Sequence, residues 1–247
     1  MHLVRMVLCL LGTLQEMLRH LLDPPVDSLV SMRRQLATLL MATHALLELP
    51  SGDLVEAGVY RGGTTVLMAR VLHNLSSGRL LWACDSFRGL PRAQAEDLRR
   101  GGCGSATFPR RRSCGVGGAG QYSSPRIVVE RALRSEGLSQ HVRVVSGWFH
   151  ESLPPRGLRS IAMLRLDGDT FNGTYEALRR LYPLVVDGGI IYVDDAGAYR
   201  GAAVALRTYL GWPIGTRIME EAVGEKPFYE AVWWRKGSEF ANESLEF

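Results

Sequence analysis

The chain has 247 residues, 46% apolar and 22% charged, an ordinary globular balance that excludes a disordered tail protein, a collagen-like repeat and a small disulfide scaffold. At this length it forms one large α/β-type domain, or one such domain with a helical extension. Lys+Arg 29 against Asp+Glu 25 leaves a net charge of +4. Only Lys226 and Lys236 are lysines, and the one dense basic cluster, Arg110-Arg111-Arg112, lies in a Gly-rich stretch without interleaved aromatics. That pattern argues against a nucleic-acid partner.

Residues 6–15 are apolar and follow Arg5, but no small-residue cleavage site comes after them. Leu3, Val7, Leu10, Leu11, Leu14, Leu18 and Leu21 fall on one stripe. The expectation is an amphipathic helix packed on the domain or on a second copy, which makes a homodimer the expected assembly. Its polar face lacks the Lys/Arg richness of a membrane-surface helix, and no apolar run reaches the ~18 residues that span a bilayer. Asp23-Pro24-Pro25 stops this helix, and residues 28–49 read as a second one, ended by Pro50-Ser51-Gly52. The expected organisation is a helical extension over 1–49, an α/β domain over 50–236 and a tail over 237–247.

From residue 54 the pattern changes. Residues 54–58 read as a strand, 63–75 as a helix and 79–84 as a second strand ending at Asp85. Residues 88–124 are rich in Gly, Arg, Ser and Pro, and read as a mobile lid. A helix follows over 127–136, then strands over 142–146, 161–166 and 189–193. Helices are expected over 174–182 and 199–210. Residues 217–223 and 228–235 read as a terminal hairpin turned at Gly224-Glu225. Trp233-Trp234 in its last strand place one ring in the core and leave the other for a subunit contact. This alternation predicts a mostly parallel sheet with helices on both faces. Cys9, Cys84, Cys103 and Cys114 lack metal spacing and read as free thiols in a reducing, cytoplasmic compartment.

Ligands of such sheets bind beyond the strand C-termini. Four of the five strands end there in an acid: Glu56, Asp85, Asp167 and the pair Asp194-Asp195. One acid after a strand is ordinarily a turn or a helix cap; four on one sheet edge suggest a site. In the string from Glu56 to Thr64, glycines allow close approach of a ligand, and the next helix N-terminus offers free N–H groups. Asp85 lies 22 residues beyond Gly63, about the offset at which a second-strand acid meets ribose hydroxyls. An adenosine-bearing cofactor is expected. The carboxylates of Asp167, Asp169, Asp194 and Asp195 would repel one another unless a cation neutralises them. Oxygen-only ligation favours Mg²⁺, although Asp169, just before a turn and helix, is also placed to cap that helix.

Five strings carry a resemblance: 52–63, Asp85-Ser86-Phe87-Arg88-Gly89-Leu90-Pro91, Gly147-Trp148-Phe149 with Leu153-Pro154, Leu164-Arg165-Leu166-Asp167-Gly168-Asp169, and 188–195. Over about residues 50–235 the chain resembles the macrocin O-methyltransferase family. These are S-adenosylmethionine-dependent, metal-dependent enzymes that methylate sugar hydroxyls of natural products. The resemblance implies a Rossmann-like methyltransferase fold with a seven-stranded, mostly parallel sheet, a C-terminal antiparallel hairpin and N-terminal helices. It further implies that Glu56 and Gly58 hold the methionine part of the cofactor, with Gly62, Gly63 and Thr64 beside them. Asp85 takes the ribose, Ser86 lies next to it, and Ser146, Gly147 and Trp148 border the adenine. Asp167, Asp194 and Asp195 bind Mg²⁺, and Asp169 is the general base. His150, after Trp148-Phe149, is an alternative base, and Tyr60 either lines the acceptor pocket or packs beside the glycines.

The acceptor side departs from the family. After Asp169 the chain reads Thr170-Phe171-Asn172-Gly173-Thr174 where an aromatic and Glu-Ser-Thr are usual, and Ala196-Gly197 replaces the usual Tyr after the Asp pair. The expected acceptor is a hydroxyl of a glycosylated or polyhydroxylated small molecule. A catechol-type acceptor is the second enzyme reading. A non-catalytic S-adenosylmethionine-binding protein is the third, opposed by the retention of all four aspartates.

Overall fold

The computed structural model describes residues 26–98, 118–194, 196–211, 223–225 and 228–237, with only the backbone course for 223–225 and 228–230. The first expected helix, the middle of the lid, Asp195 and the tail beyond Gly237 lie outside the described residues, as do Cys9, Cys103 and Cys114.

Strands β1 (Asp53–Ala57), β2 (Leu81–Asp85), β3 (Val142–Ser146), β4 (Ile161–Leu166), β5 (Val185–Val193), β6 (Val223–Glu225) and β7 (Phe228–Arg235) form one seven-stranded sheet. Its order is β3-β2-β1-β4-β5-β7-β6. The first five strands run parallel, β7 adds on antiparallel to β5, and β6 adds on antiparallel to β7. The chain therefore reverses its winding between β1 and β4, which opens a crevice at their C-terminal ends. Strand β6 includes Gly224 and Glu225, so the expected turn residues belong to a strand, and the reversal comes after Glu225.

Among the described residues six α-helices pack on the sheet: α1 (Met32–Glu48), α2 (Gly63–Asn74), α3 (Arg126–Ser135), the single-turn α4 (Phe149–Ser152), α5 (Phe171–Leu181) and α6 (Arg200–Leu210). Side chains alternate between faces along a strand. Leu54, Leu81, Met163, Ile190 and Trp233 accordingly join the core under α1, α2 and α3. Val55, Leu164, Leu166, Ile191, Val193 and Trp234 join the opposite core under α5 and α6. Both tryptophans are thus core residues, 5% and 3% exposed, which removes the expected subunit contact: in a strand covered on both faces, neither alternate position reaches solvent.

Helix α1 is part of this core. It begins at Met32, four residues later than expected, and residues 26–31 run in extended and bent backbone before it. Ala37, Leu39, Met41, Ala42 and Ala45 are buried against the sheet, while Met32, Leu36, Leu40 and Leu47 are exposed on its other side. Arg79 closes the junction with β2 by donating to the carbonyls of Ala45 and Leu49. Among the described residues no helix is long and apolar enough to cross a membrane.

The described ends of the 88–124 segment are docked. The N–H of Leu90 donates to the Gln121 carbonyl at 2.8 Å, and the N–H of Gly120 donates to the Leu90 carbonyl at 2.9 Å. Asp97, 2% exposed, accepts the Phe171 N–H at 2.7 Å at the start of α5. Arg200 donates to the carbonyl of Glu96. The expectation of a mobile lid does not extend to these ends, because side-chain and backbone bonds fix them to one another and to the starts of α5 and α6.

Candidate active site

A cleft of about 520 Å³ lies over the C-terminal ends of β1, β2 and β4. Its size falls in the range of small-molecule sites. Gly58, Val59, Tyr60, Gly63 and Thr64 line one wall, Asp85, Ser86 and Trp148 another, and Asp167, Gly168, Asp169 and Asn172 its floor. Residues 27–30 and Arg34 close a further side, so the segment before α1 belongs to the site.

The loop after β1 is shaped by steric necessity. Gly58 has φ +100°, and a Cβ there would stand 1.9 Å from the carbonyl oxygen of Asp167; only glycine permits that approach of β1 to β4. At Gly63 a Cβ would meet Ser28 at 2.8 Å, which lets the N-terminal segment lie across the start of α2. Arg61 and Asp27 pair over the same junction. Asp85 organises the loop from the neighbouring strand. Its Oδ2 accepts the N–H groups of Val59 and Tyr60 at 2.7 and 3.0 Å, and its Oδ1 that of Phe87 at 2.7 Å. A carboxylate offers about four lone-pair positions, so capacity remains for a ribose hydroxyl. Tyr60 lines the cleft and meets Tyr122 edge-on at 6.2 Å.

Glu56 does not face the cleft. Parallel register places Glu56, Arg165 and Tyr192 side by side on β1, β4 and β5, and lateral neighbours share a face of the sheet. Glu56 accepts the hydroxyls of Thr64 and Thr65 and the guanidinium of Arg165 at 3.3 Å. It is fully buried beneath α2. Burial pushes its carboxyl up to about 7, against the opposing pull of Arg165 and the two threonines. The expected contact of Glu56 with the cofactor's methionine part is therefore not available as the residues stand; Glu56 supports the loop from below.

Arg165 is the hub of the buried charges. Its Nη1 donates to Asp167 Oδ2 at 2.9 Å, its Nη2 to Asp194 Oδ2 at 2.6 Å, and its Nε to Thr38 on α1 at 3.4 Å. Desolvation opposes its charge, but the three carboxylates hold its pKa above the ordinary value. The cation expected between the acids is thus present in the chain itself. Asp167 lines the cleft, and burial with Asp194 nearby raises its carboxyl to about 6.

The donor set for Mg²⁺ does not assemble as expected. Asp194 has 0% side-chain exposure and accepts guanidinium N–H on both oxygens, from Arg165 and, at 2.7 Å, from Arg34. It is not among the cleft-lining residues. Asp195 lies outside the described residues, and among the described residues no three His, Cys, Asp or Glu form a group that could hold a metal ion. As arranged, these side chains do not fit a divalent cation, since a guanidinium occupies the coordinating oxygens of Asp194.

Asp169 is itself buried, at 8% exposure. It lines the cleft floor at φ +53°, a left-handed backbone that non-glycine residues adopt at a cost. The capping role weighed for it belongs to Thr170, whose Oγ1 accepts the Gly173 N–H at 3.0 Å, and to Asp97. His150 lines the cleft with its imidazole 61% exposed and 3.4 Å from Glu151. Ser146, which is exposed, accepts Arg126 at 3.3 Å; it, Gly147 and Gly62 do not line the cleft, and Trp148 is the member of the expected adenine border that does. Residues 27–30, Arg34 and Tyr199 join the lining without having been expected. Arg165 stood in a recognisable string, but only its register with Glu56 and Tyr192 reveals its task.

The sequence profile of the macrocin-O-methyltransferase family matches residues 24–236. The chain belongs to this family. It is 37% identical over 146 residues to demethyldecarbamoylnovobiocin O-methyltransferase of Streptomyces niveus, covering 58% of this chain and 52% of that protein. It is 29% identical over 149 residues to mycinamicin III 3''-O-methyltransferase of Micromonospora griseorubida, covering 58% and 55%. The chain thus spans about half the length of the curated relatives it matches. Among solved structures, the O-methyltransferase NovP superposes with a TM-score of 0.65 at 27% identity, over 84% of this chain and 81% of that one. The calicheamicin methyltransferase CalS11 shares the fold, with a TM-score of 0.61 at 18% identity over 91% of each chain.

Proposed function

From membership of the macrocin-O-methyltransferase family, we propose that this protein is an S-adenosylmethionine-dependent O-methyltransferase acting on a hydroxyl of a glycosylated or polyhydroxylated small molecule. The observation that carries the reading is Asp169, held on left-handed backbone at the floor of a cleft whose other walls are the glycine loop, Asp85 and Trp148. The relatives' substrates, a novobiocin precursor and a mycinamicin, support the acceptor class.

When bound, S-adenosylmethionine supplies a methyl group already activated on a sulfonium. The chain binds and aligns it: the loop at Gly58 and Gly63 admits close approach, Asp85 accepts from the ribose, and Trp148 borders the base. Asp169 would accept the hydroxyl proton of the acceptor at its carboxylate, and the cleft walls would supply the remaining gain by orienting that hydroxyl toward the bound cofactor. No step is assigned to Mg²⁺, because Asp194 is closed to it as the residues stand.

Calorimetric titration of S-adenosylhomocysteine, followed by a turnover screen with glycosides and with catechols, tests the reading. Micromolar binding with methyl transfer to glycosides alone is expected. Transfer to catechols instead would replace the acceptor class, and absence of cofactor binding would overturn the activity.

A further inference from the structure

Two histidines meet at the end of the sheet opposite the cleft. The cleft lies over the strand C-termini and the start of α2, whereas His73 stands in the last turn of α2. His141 ends a short 3-10 turn (Ser139–His141) directly before β3. His73 follows Gly63 by ten positions, about 15 Å along the helix axis. His73 Nδ1 and His141 Nε2 approach to 3.3 Å, with ring centroids 5.4 Å apart and ring planes at 70°. His73 is exposed and His141 half-buried, so solvent reaches the pair. The backbone beneath both rings is pinned. Arg70, one turn earlier on α2, donates from Nε and Nη2 to Glu136 at the end of α3, at 3.1 and 2.5 Å. The N–H of Leu138, a residue 2% exposed, donates to the Leu133 carbonyl at 2.8 Å, and the N–H of His141 donates to the Leu138 carbonyl at 3.0 Å.

The separation of the two nitrogens separates two uses of the pair. An N–H donor closes on its acceptor to about 2.7–3.2 Å, and 3.3 Å lies just beyond that range. The same distance matches the edge of a coordination tetrahedron. Two imidazole nitrogens, each about 2.0–2.1 Å from a tetrahedral zinc, stand about 3.3–3.4 Å apart. Imidazole suits Zn²⁺, whereas Mg²⁺ and Ca²⁺ take oxygen ligands. Donors carried on fixed elements are already gathered before the ion arrives. We propose that His73 and His141 form a two-histidine site for Zn²⁺ that clips the end of α2 to the lead-in of β3. Two protein ligands leave the other coordination positions to water. The bound ion is therefore exchangeable, unlike a structural zinc closed by four side chains. The site draws on none of the strand-end acids and does not depend on what the cleft binds.

The test titrates the full chain with Zn²⁺ by calorimetry at neutral pH in excess Mg²⁺. Saturable Zn²⁺ binding by the parent is expected. His73→Ala and His141→Ala should each weaken it at least about tenfold, since even an outer-shell partner of a bound metal is worth about 10–100-fold in affinity. S-adenosylhomocysteine affinity should stay within about twofold in both variants, because neither ring lines the cleft. Absence of Zn²⁺ binding by the parent would overturn the proposal. Binding retained at parental strength by either variant would also overturn it, as the mark of an adventitious ion held elsewhere on the chain. A second measurement needs no variant. In nitrogen-15 spectra of the parent imidazoles, Zn²⁺ should move His73 Nδ1 and His141 Nε2 to metal-bound positions. Movement of the opposite ring nitrogens, or of neither ring, would refute the pairing.

Discussion

At the scale of single residues, the carboxylates of this region divide by what they face. Glu56 and Asp194 are bound to guanidinium groups behind the cleft, whereas Asp167 and Asp169 line it. If Asp169 is the general base, Asp169→Asn should lower turnover by about 10²–10⁴-fold while S-adenosylhomocysteine affinity stays within a few-fold, measured on the same preparation. A small effect on turnover would move the base elsewhere, with His150 next. Glu56 yields a stability prediction. Its carboxyl is raised from 4.5 to about 7, chiefly by burial. A raised acid favours the folded state while both states are protonated, and that contribution is lost as pH climbs through its folded value. Asp167, raised to about 6, acts in the same direction. The melting temperature should therefore fall as pH rises from about 4.5 to about 7, and Glu56→Gln should flatten that slope. An equally steep slope in the variant would mean that Glu56 is already ionised throughout.

At the scale of elements, the site depends on how closely two strand ends meet. The β1 loop passes the β4 loop with no room for a methyl group at Gly58, which also sits at positive φ. Gly58→Ala combines backbone strain with overpacking, together about 3 kcal/mol, or a drop of about 6–12 °C in melting temperature for a domain of this size. Differential scanning calorimetry measures it, and a drop under about 2 °C would show that the loop can relax away from Asp167. Helix α1 was legible as a helix from its leucine spacing. Its role was not, because Thr38 and Arg34 look like ordinary polar-face residues until Arg165 and Asp194 are placed across from them. The lid expected over 88–124 was legible in composition only. Asp97 carries no local signal, and its bond to the Phe171 N–H spans 74 positions of sequence.

At the scale of the whole molecule, the five parallel strands gather the strand-end acids on one edge of the sheet, and a ligand bound there couples α1, α2 and α5. S-adenosylhomocysteine at a hundredfold its Kd should stabilise the fold by about 2.7 kcal/mol, a rise of about 5–10 °C, visible in a thermal scan; no rise would mean that the folded cleft does not take the cofactor product. The sequence by itself determined the α/β alternation, the acids at the strand ends and the glycine loop, because these rest on local periodicity and on residues adjacent in the chain. It also carried the family resemblance that the sequence profile bears out over residues 24–236. Only the tertiary structure decided which acids face the cleft. Register sets Glu56 beside Arg165 and turns it under α2, and a guanidinium from the N-terminal helix covers Asp194. Charge type is written residue by residue, but the partners that neutralise Glu56 and Asp194 include guanidinium groups 109 and 160 positions away, chosen by strand pairing and helix packing, and no local pattern encodes that distance.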